Sequence, residues 1–149
     1  MKYLVTNLEN YSEIVDVKHF ETGHVLEREI ADHYRKKEEV VEVSVLDPRK
    51  SYRLSRKEES LFEKYEFARV EERTLKTLDG DKTIKHVKFD PGCPDILVSY
   101  EDSVRFIEVK SVTDTLKINQ FKILLSNSNV SIAFSDPQGD IKSILGESL

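Results

Sequence analysis

The sequence has a single cysteine, Cys93, among 149 residues. One cysteine excludes an internal disulfide and a zinc site built from several cysteines, and a cytoplasmic location is therefore the expectation. No histidine base accompanies Cys93, so we expect a small buried side chain there rather than a nucleophile. The histidines also lack metal-ligand spacing, and we expect surface or packing roles for all four of them. They are His19, His24, His33 and His86.

Long apolar runs are missing as well. No stretch approaches the roughly 20 residues that a membrane-spanning helix needs. Residues 1–7 do not begin an apolar segment of the kind that a signal peptide contains. We therefore expect no membrane partner. The length favours one domain over residues 1–149 with a single core.

The net charge of -5 argues mildly against nucleic acid as a partner, because phosphate binding favours a basic surface. Positive charge is nevertheless concentrated in one short segment. The run consists of Arg49, Lys50, Arg53, Arg56 and Lys57. Such a run can follow a phosphate backbone, which predicts nucleic-acid binding by these five residues. The alternative is a solvated loop followed by the start of a helix.

Periodicity and turn residues predict alternating helices and strands. The predicted helices cover residues 22–37, 55–68 and 116–126, with another beginning at Pro137. The predicted strands cover residues 3–7, 40–46, 95–100, 104–111 and 130–134, and a hairpin over 73–89 turns at Asp79-Gly80. Residues 8–21 read as irregular. This order predicts an α/β or α+β domain in which a central mixed sheet is flanked by helices.

Charged residues interrupt two strands that otherwise look buried. Pro94-Asp95 opens one strand, and Glu108-Val109-Lys110 lies within the next. Burying such groups is costly unless they pair, bind a metal or do chemistry. Glu108 and Lys110 lie on the same face, about 6–7 Å apart, because side chains alternate along a strand. If the two strands form a hairpin, Asp95 converges with this pair at one end of the sheet.

Two carboxylates and the backbone carbonyl of Val109 are hard oxygen ligands, which suit Mg²⁺ or Mn²⁺. A lysine beside such a metal can orient a water molecule or stabilise charge on a phosphate. These parts together indicate metal-assisted phosphodiester hydrolysis. The alternatives are that Asp95 is a turn residue and that Glu108 and Lys110 form an exposed ion pair on an edge strand.

The pattern Pro94-Asp95 followed by Glu108-Val109-Lys110 resembles the PD-(D/E)xK nuclease superfamily. The resemblance implies a restriction-endonuclease-like core in which Asp95 and Glu108 bind the metal and Lys110 positions the attacking water.

Two further segments extend the resemblance. Residues 23–30 resemble the first helix of archaeal Holliday-junction resolvases and of the virus-type replication-repair (VRR-NUC) nucleases. That helix supplies another acid to the site, and Glu27 is the choice here, with Glu29 as the alternative. Residues 117–121 resemble the VRR-NUC helix whose glutamine lines the site, which implies Gln120. A solvated surface position is the alternative for both Glu27 and Gln120.

The resemblance covers about residues 22–40 and 89–135, where residues 130–134 are similar to the last core strand. Residues 47–88 match no family pattern, and we expect an insertion there.

The function implied is that of a Mg²⁺- or Mn²⁺-dependent DNA endonuclease. A junction- or flap-specific enzyme is favoured over a sequence-specific one. A symmetric cut in both strands would require a homodimer. The alternatives are a non-catalytic nuclease-fold module that binds nucleic acid or protein, and an endonuclease directed at RNA.

Overall fold

The protein was analysed as a computed structural model, which describes residues 1–7, 9–19, 23–54, 58–111, 123 and 126–135. Within these residues the chain forms nine strands and two helices. It divides into two compact units, one joining Met1–Val45 to Pro94–Leu149 and the other formed by Leu46–Cys93. Neither helix found in the described ranges is long and apolar enough to cross a membrane.

The first unit is built on a six-stranded mixed sheet. Its strands are β1 (Lys2–Thr6), β2 (Ser12–Asp16), β3 (Val40–Val45), β7 (Ile96–Tyr100), β8 (Val104–Val109) and β9 (Val130–Ser135). Their order is β2-β1-β9-β8-β7-β3. Strands β8 and β9 pair in parallel, and the other neighbours pair antiparallel. The mixed sheet and the helices confirm the fold class predicted from the sequence.

Helix α1 (Gly23–Arg35) packs against this sheet through a stripe of buried residues. The stripe consists of Leu26, Ile30, Ala31 and Tyr34. Each large apolar side chain that is fully buried contributes about 1.5–3 kcal/mol relative to an exposed one. The stripe joins inward-facing residues of the sheet, among them Val98, Ile107 and Val109, in one core cluster. This packing fixes the rotation of α1 about its axis and therefore the direction of its acidic residues.

The second unit contains a three-stranded antiparallel sheet. Its elements are β4 (Ser51–Leu54), the short helix α2 (Glu59–Phe62), β5 (Ala68–Thr77) and β6 (Gly80–Phe89), and the strand order is β4-β6-β5. Phe89 lies at its centre, with ring centroids 5.7 Å from Tyr52 and 6.0 Å from Phe62. The predicted hairpin turn is confirmed: Thr77 pairs with Gly80, whose φ of 114° is a conformation that favours glycine.

Several predicted elements were wrong or incomplete. Residues 12–16, expected to be irregular, form the edge strand β2, in which Val15 alone is buried, so the alternation is faint. Strand β4 was not predicted within the basic run. The second helix is much shorter than predicted, because Ala68 already begins β5.

Other predicted elements lie wholly or mostly outside the described residues. The predicted start of the second helix, at residues 55–57, lies outside the described residues, as do most of the predicted helix over 116–126 and all of the helix predicted after Pro137.

A hydrogen-bond network around Glu13 ties β2 to the end of α1. Glu13 accepts from Tyr11 Oη at 2.7 Å, lies 3.0 Å from His33 Nε2, and forms an ion pair with Lys37. The Tyr11 and Tyr34 hydroxyls are 2.9 Å apart. Burial alone would raise the pKa of Glu13, but hydrogen bonds from Lys37, His33 and Tyr11 outweigh burial and lower the pKa to about 2.

We predict that Glu13→Gln lowers the free energy of unfolding at pH 7 by about 1–3 kcal/mol, because it removes charge-assisted hydrogen bonds. The contribution of Glu13 is complete above its ordinary pKa of 4.5 and is lost as pH falls towards 2. Urea denaturation at pH 7 and pH 3 should therefore show a difference between wild type and variant that shrinks with acid. Glu38→Gln, at an exposed carboxylate, is the matched control. An equal difference at both pH values would contradict the network.

Candidate active site

The two strands that carry the charged motif are neighbours, and they bring its residues to one end of the sheet. Ile96 pairs with Ile107 in the antiparallel β7–β8 register. Asp95, just before β7, donates its backbone N–H to the Ile107 carbonyl at 3.0 Å. Its side-chain Oδ2 accepts from the Val109 N–H at 2.8 Å. The Asp95 carboxylate is therefore held against the end of β8 by the backbone itself.

Glu108 and Lys110 lie beside this carboxylate as a shielded ion pair. Lys110 Nζ is 3.5 Å from Glu108 Oε1, and the two side chains are 12% and 14% exposed. Strand β8 lies between β7 and β9, so the pair is not on an edge strand, and that alternative is wrong. Pairing of two poorly solvated charges fixes the ammonium close to both carboxylates.

Helix α1 supplies a third carboxyl group. Glu27 precedes Ile30, Ala31 and Tyr34 by three, four and seven residues, so it lies at the start of the buried stripe. Its carboxyl group hydrogen-bonds with that of Asp95, which in turn hydrogen-bonds with Glu108. Three carboxyl groups from three elements thus form a chain of contacts.

Glu29, the alternative to Glu27, has a different role. Its carboxylate accepts the backbone N–H groups of Lys18 and His19 at 3.0 and 2.7 Å. It therefore holds the segment that follows β2, and the structure places Glu27 rather than Glu29 beside Asp95.

Crowding of the carboxyl groups changes their protonation. Burial, then the charge of Asp95 and a hydrogen bond with it, raise the pKa of Glu27 to about 7. Burial, then the charge of Asp95, raise the pKa of Glu108 to about 8, although Lys110 opposes the rise. Burial also raises the pKa of Asp95, against the lowering effects of the Val109 amide and Lys110. The site therefore holds protons near neutral pH in order to limit repulsion between its acids.

The donor set fits a hard divalent cation, since carboxylate oxygens are the ligands that Mg²⁺ and Mn²⁺ prefer. A cation would also relieve the repulsion that raises the pKa values of Glu27 and Glu108. Among the described residues, however, no three His, Cys, Asp or Glu side chains are already arranged as a metal site. Here the carboxyl groups hydrogen-bond to one another, so binding of an ion has to displace protons and separate these groups. The Val109 carbonyl as a ligand stays a prediction.

The remaining predicted site residues either belong to the second unit or lie outside the described residues. Gln120 lies outside the described residues, as do Arg56 and Lys57. Arg49 is ion-paired with Asp47, its Nε 3.1 Å from Oδ1.

Lys50 and Arg53, the other members of the basic run, are exposed, and Arg53 lies on β4. In its described part, the run is therefore a loop and a strand rather than the start of a helix.

Two features near the site were not anticipated. The first is the Val109 amide, which orients Asp95; it cannot be read from side-chain types, since it depends on strand register. The second is His24, whose Nδ1 lies 4.0 Å from Glu27 Oε2. Its spacing of three residues from Glu27 on a helix was the signal available in the sequence.

We predict that the metal-free protein loses stability as pH rises from about 5 to about 8. The raised pKa values of Glu27 and Glu108 mean that the folded state binds protons more tightly than the unfolded state in this window. Glu108→Gln removes one buried charge, so at pH 8 in EDTA it should be more stable than wild type, on the order of 1–3 kcal/mol. Denaturant unfolding at both pH values measures this difference. The control is Glu42→Gln, at an exposed carboxylate of β3. A Glu108→Gln protein with the same pH dependence as wild type would contradict the cluster.

Comparison with known proteins adds no relative to this picture. No protein-family model matches the chain, and the searches of curated proteins and of solved structures give no match either.

Proposed function

We propose that this protein is a Mg²⁺- or Mn²⁺-dependent nuclease that hydrolyses phosphodiester bonds in DNA. The observation that carries the proposal is the convergence of Glu27, Asp95, Glu108 and Lys110 at one end of the mixed sheet. Acids with raised pKa values beside a shielded lysine are expected at catalytic sites more than at structural ion pairs. The resemblance of these residues to the PD-(D/E)xK pattern supports the same reaction.

Each side chain of the site has its own proposed role in hydrolysis, which follows from its position. Glu27, Asp95 and Glu108 would hold the cation, which supplies Lewis-acid polarisation of the phosphate and a lowered pKa for a bound water. Lys110, held 3.5 Å from Glu108, is placed to orient the attacking water and to balance charge that develops on the phosphate. The Val109 amide orients the Asp95 carboxylate.

The finer parts of the proposal rest on the resemblance rather than on the geometry. They are a preference for junctions or flaps and the contribution of Gln120. The action of a homodimer follows from a symmetric cut in both strands, and a cytoplasmic location from the single cysteine. The second candidate function is a non-catalytic nuclease-fold module. Retention of all three acids and of the lysine favours the enzyme, because a binding module has no need for this combination.

The proposal is tested by cleavage of plasmid, linear, flap and four-way-junction DNA, with an RNA substrate beside them, in Mg²⁺, Mn²⁺ or EDTA. Asp95→Asn, Glu108→Gln and Lys110→Gln should each reduce the rate about 100-fold or more, because each removes a ligand or the water-orienting ammonium. Glu27→Gln should reduce the rate about 10–100-fold, by weakening metal affinity. EDTA should abolish cleavage.

Two controls separate chemistry from folding. Asp32→Asn changes an exposed acid on α1, and Glu29→Gln changes the acid that holds the segment after β2. Asp32→Asn should retain full activity, and folded Glu29→Gln should retain most of it. Cleavage that persists in EDTA, or that survives the changes at Asp95, Glu108 and Lys110, would refute the assignment. Binding of DNA by wild type without cleavage in either metal would favour the binding module.

A further inference from the structure

The three-stranded sheet of the second unit separates its charges by face. In an antiparallel sheet, directly paired residues point to the same side. Ser51 pairs with Lys88, and Arg53 pairs with His86, across β4 and β6. Strand β5 pairs with the other edge of β6, and its residues on this same face are Arg69, Glu71, Arg73 and Leu75. Their partners on β6 are, in that order, Lys88, His86, Ile84 and Lys82. We call this side the basic face; it carries five arginine or lysine side chains and one carboxylate.

The opposite face of the sheet is the apolar one. Tyr52, Leu54, Val70, Val87 and Phe89 alternate with the residues of the basic face, and Val87 and Phe89 are completely buried. The basic face is therefore the side that does not form the core of this unit. This side carries two lysines: Lys85 is paired with Glu59 at 2.5 Å, and Lys76 lies opposite Asp81 in the exposed hairpin.

Most cations of the basic face have no anionic partner among the residues that the structure describes. Within the part of the chain that the structure describes, no carboxylate lies within 4.0 Å of Arg53, Arg73, Lys82 or Lys88. Arg69 is paired with Asp90 at 3.0 Å, and the one carboxylate of the face, Glu71, lies 3.2 Å from His86. Unpaired cations gathered on one face of a protein with a net charge of -5 favour a polyanionic partner.

The dimensions suit a nucleic-acid backbone. Lys82 and Lys88 are six residues apart on β6, or about 20 Å at the rise of a strand, a length equal to about six base pairs of duplex. A groove of about 460 Å³ is lined by Arg53, Arg73, His86 and Lys88 of this face, and Glu71 and Glu72 also contribute to its lining. Beyond it, residues 71–83 are exposed on both faces, so the distal hairpin is accessible.

We infer that the basic face binds the phosphate backbone of duplex DNA. The inference rests on the proposed function for the choice of DNA, and on charge and register for the surface itself. A second copy of the same face is an unsuitable occupant, since two sets of unpaired cations would repel each other. Strand β5 is the edge of this sheet and is charged at Arg69, Glu71, Glu72 and Arg73, which disfavours edge-to-edge pairing of copies.

The test is fluorescence anisotropy of a labelled 30-base-pair duplex with the full chain in EDTA, so that cleavage does not intervene, at several salt concentrations between 50 and 200 mM. Four phosphate contacts predict a slope of log affinity against log salt near -3.6, or about a 150-fold loss of affinity over this range. Changing Arg53, Arg73, Lys82 and Lys88 together to Gln should weaken binding at 50 mM salt at least about tenfold and remove most of the slope.

Two further variants test whether misfolding, rather than loss of charge, explains weaker DNA binding. Lys64→Gln with Lys76→Gln removes charge from the same unit outside the basic face, and should change affinity less than about twofold. Glu71→Gln removes the carboxylate from the face and should tighten binding about two- to fivefold, a gain that an unfolded protein cannot give. Identical affinity and slope in the fourfold variant and the Lys64/Lys76 control would overturn the inference. So would a failure of wild type to bind duplex, or binding of RNA alone.

Failure here is distinguishable from failure of the proposed function. If the basic face binds duplex but no DNA is cleaved in Mg²⁺ or Mn²⁺, the surface stands and the nuclease assignment falls. If DNA is cleaved and the fourfold variant keeps the wild-type KM and kcat, the nuclease stands and the surface falls.

Discussion

The arrangement of the first unit depends on one constraint. Three carboxyl groups are held against one another at the end of a buried sheet. Glu27, Asp95 and Glu108 come from three elements, and their contact raises the pKa of Glu27 to about 7 and that of Glu108 to about 8. Carboxyl groups that repel one another when ionised stay in contact only where the surrounding packing holds them together. The buried stripe of α1 and the β7–β8 ladder provide that packing. The cluster is therefore held in place at some cost in stability, as expected of the ion-binding site proposed above.

Much of the fold is predictable from the sequence where apolar periodicity is strong. Strands β7, β8 and β9 and the hairpin β5–β6 follow from alternation and turn residues, and α1 follows from its spacing. The edge strands β2 and β4 were missed, because an edge strand buries few side chains and its pattern is faint. The second helix was extended too far, since Tyr65 and Ala68 have apolar side chains at helical spacing although Ala68 begins β5. In these segments, pairing with neighbouring strands determined the secondary structure and overrode the local sequence preference.

The candidate site, like the fold, was only partly predictable from the sequence. Residue types and strand periodicity bring Asp95, Glu108 and Lys110 to one end of a sheet, and the structure places them there. Only the three-dimensional arrangement separates Glu27 from Glu29, because both are helical acids two residues apart and the rotation of α1 decides which faces Asp95. The basic face was missed for a different reason. Apart from Arg53, its cations lie outside the basic run, spread over β5 and β6, and strand register brings them together. Arg49 of the run is neutralised by Asp47.

The most direct test of the metal-site account is calorimetric titration of the protein with Mg²⁺ at pH 7 in two buffers of different ionisation enthalpy. Because Glu27 and Glu108 retain protons near neutral pH, binding of the ion should release about one proton per site. The release should diminish at pH 9 and in Glu108→Gln. Absence of Mg²⁺ and Mn²⁺ binding, or binding without proton release at pH 7, would contradict a metal centre built from these carboxyl groups.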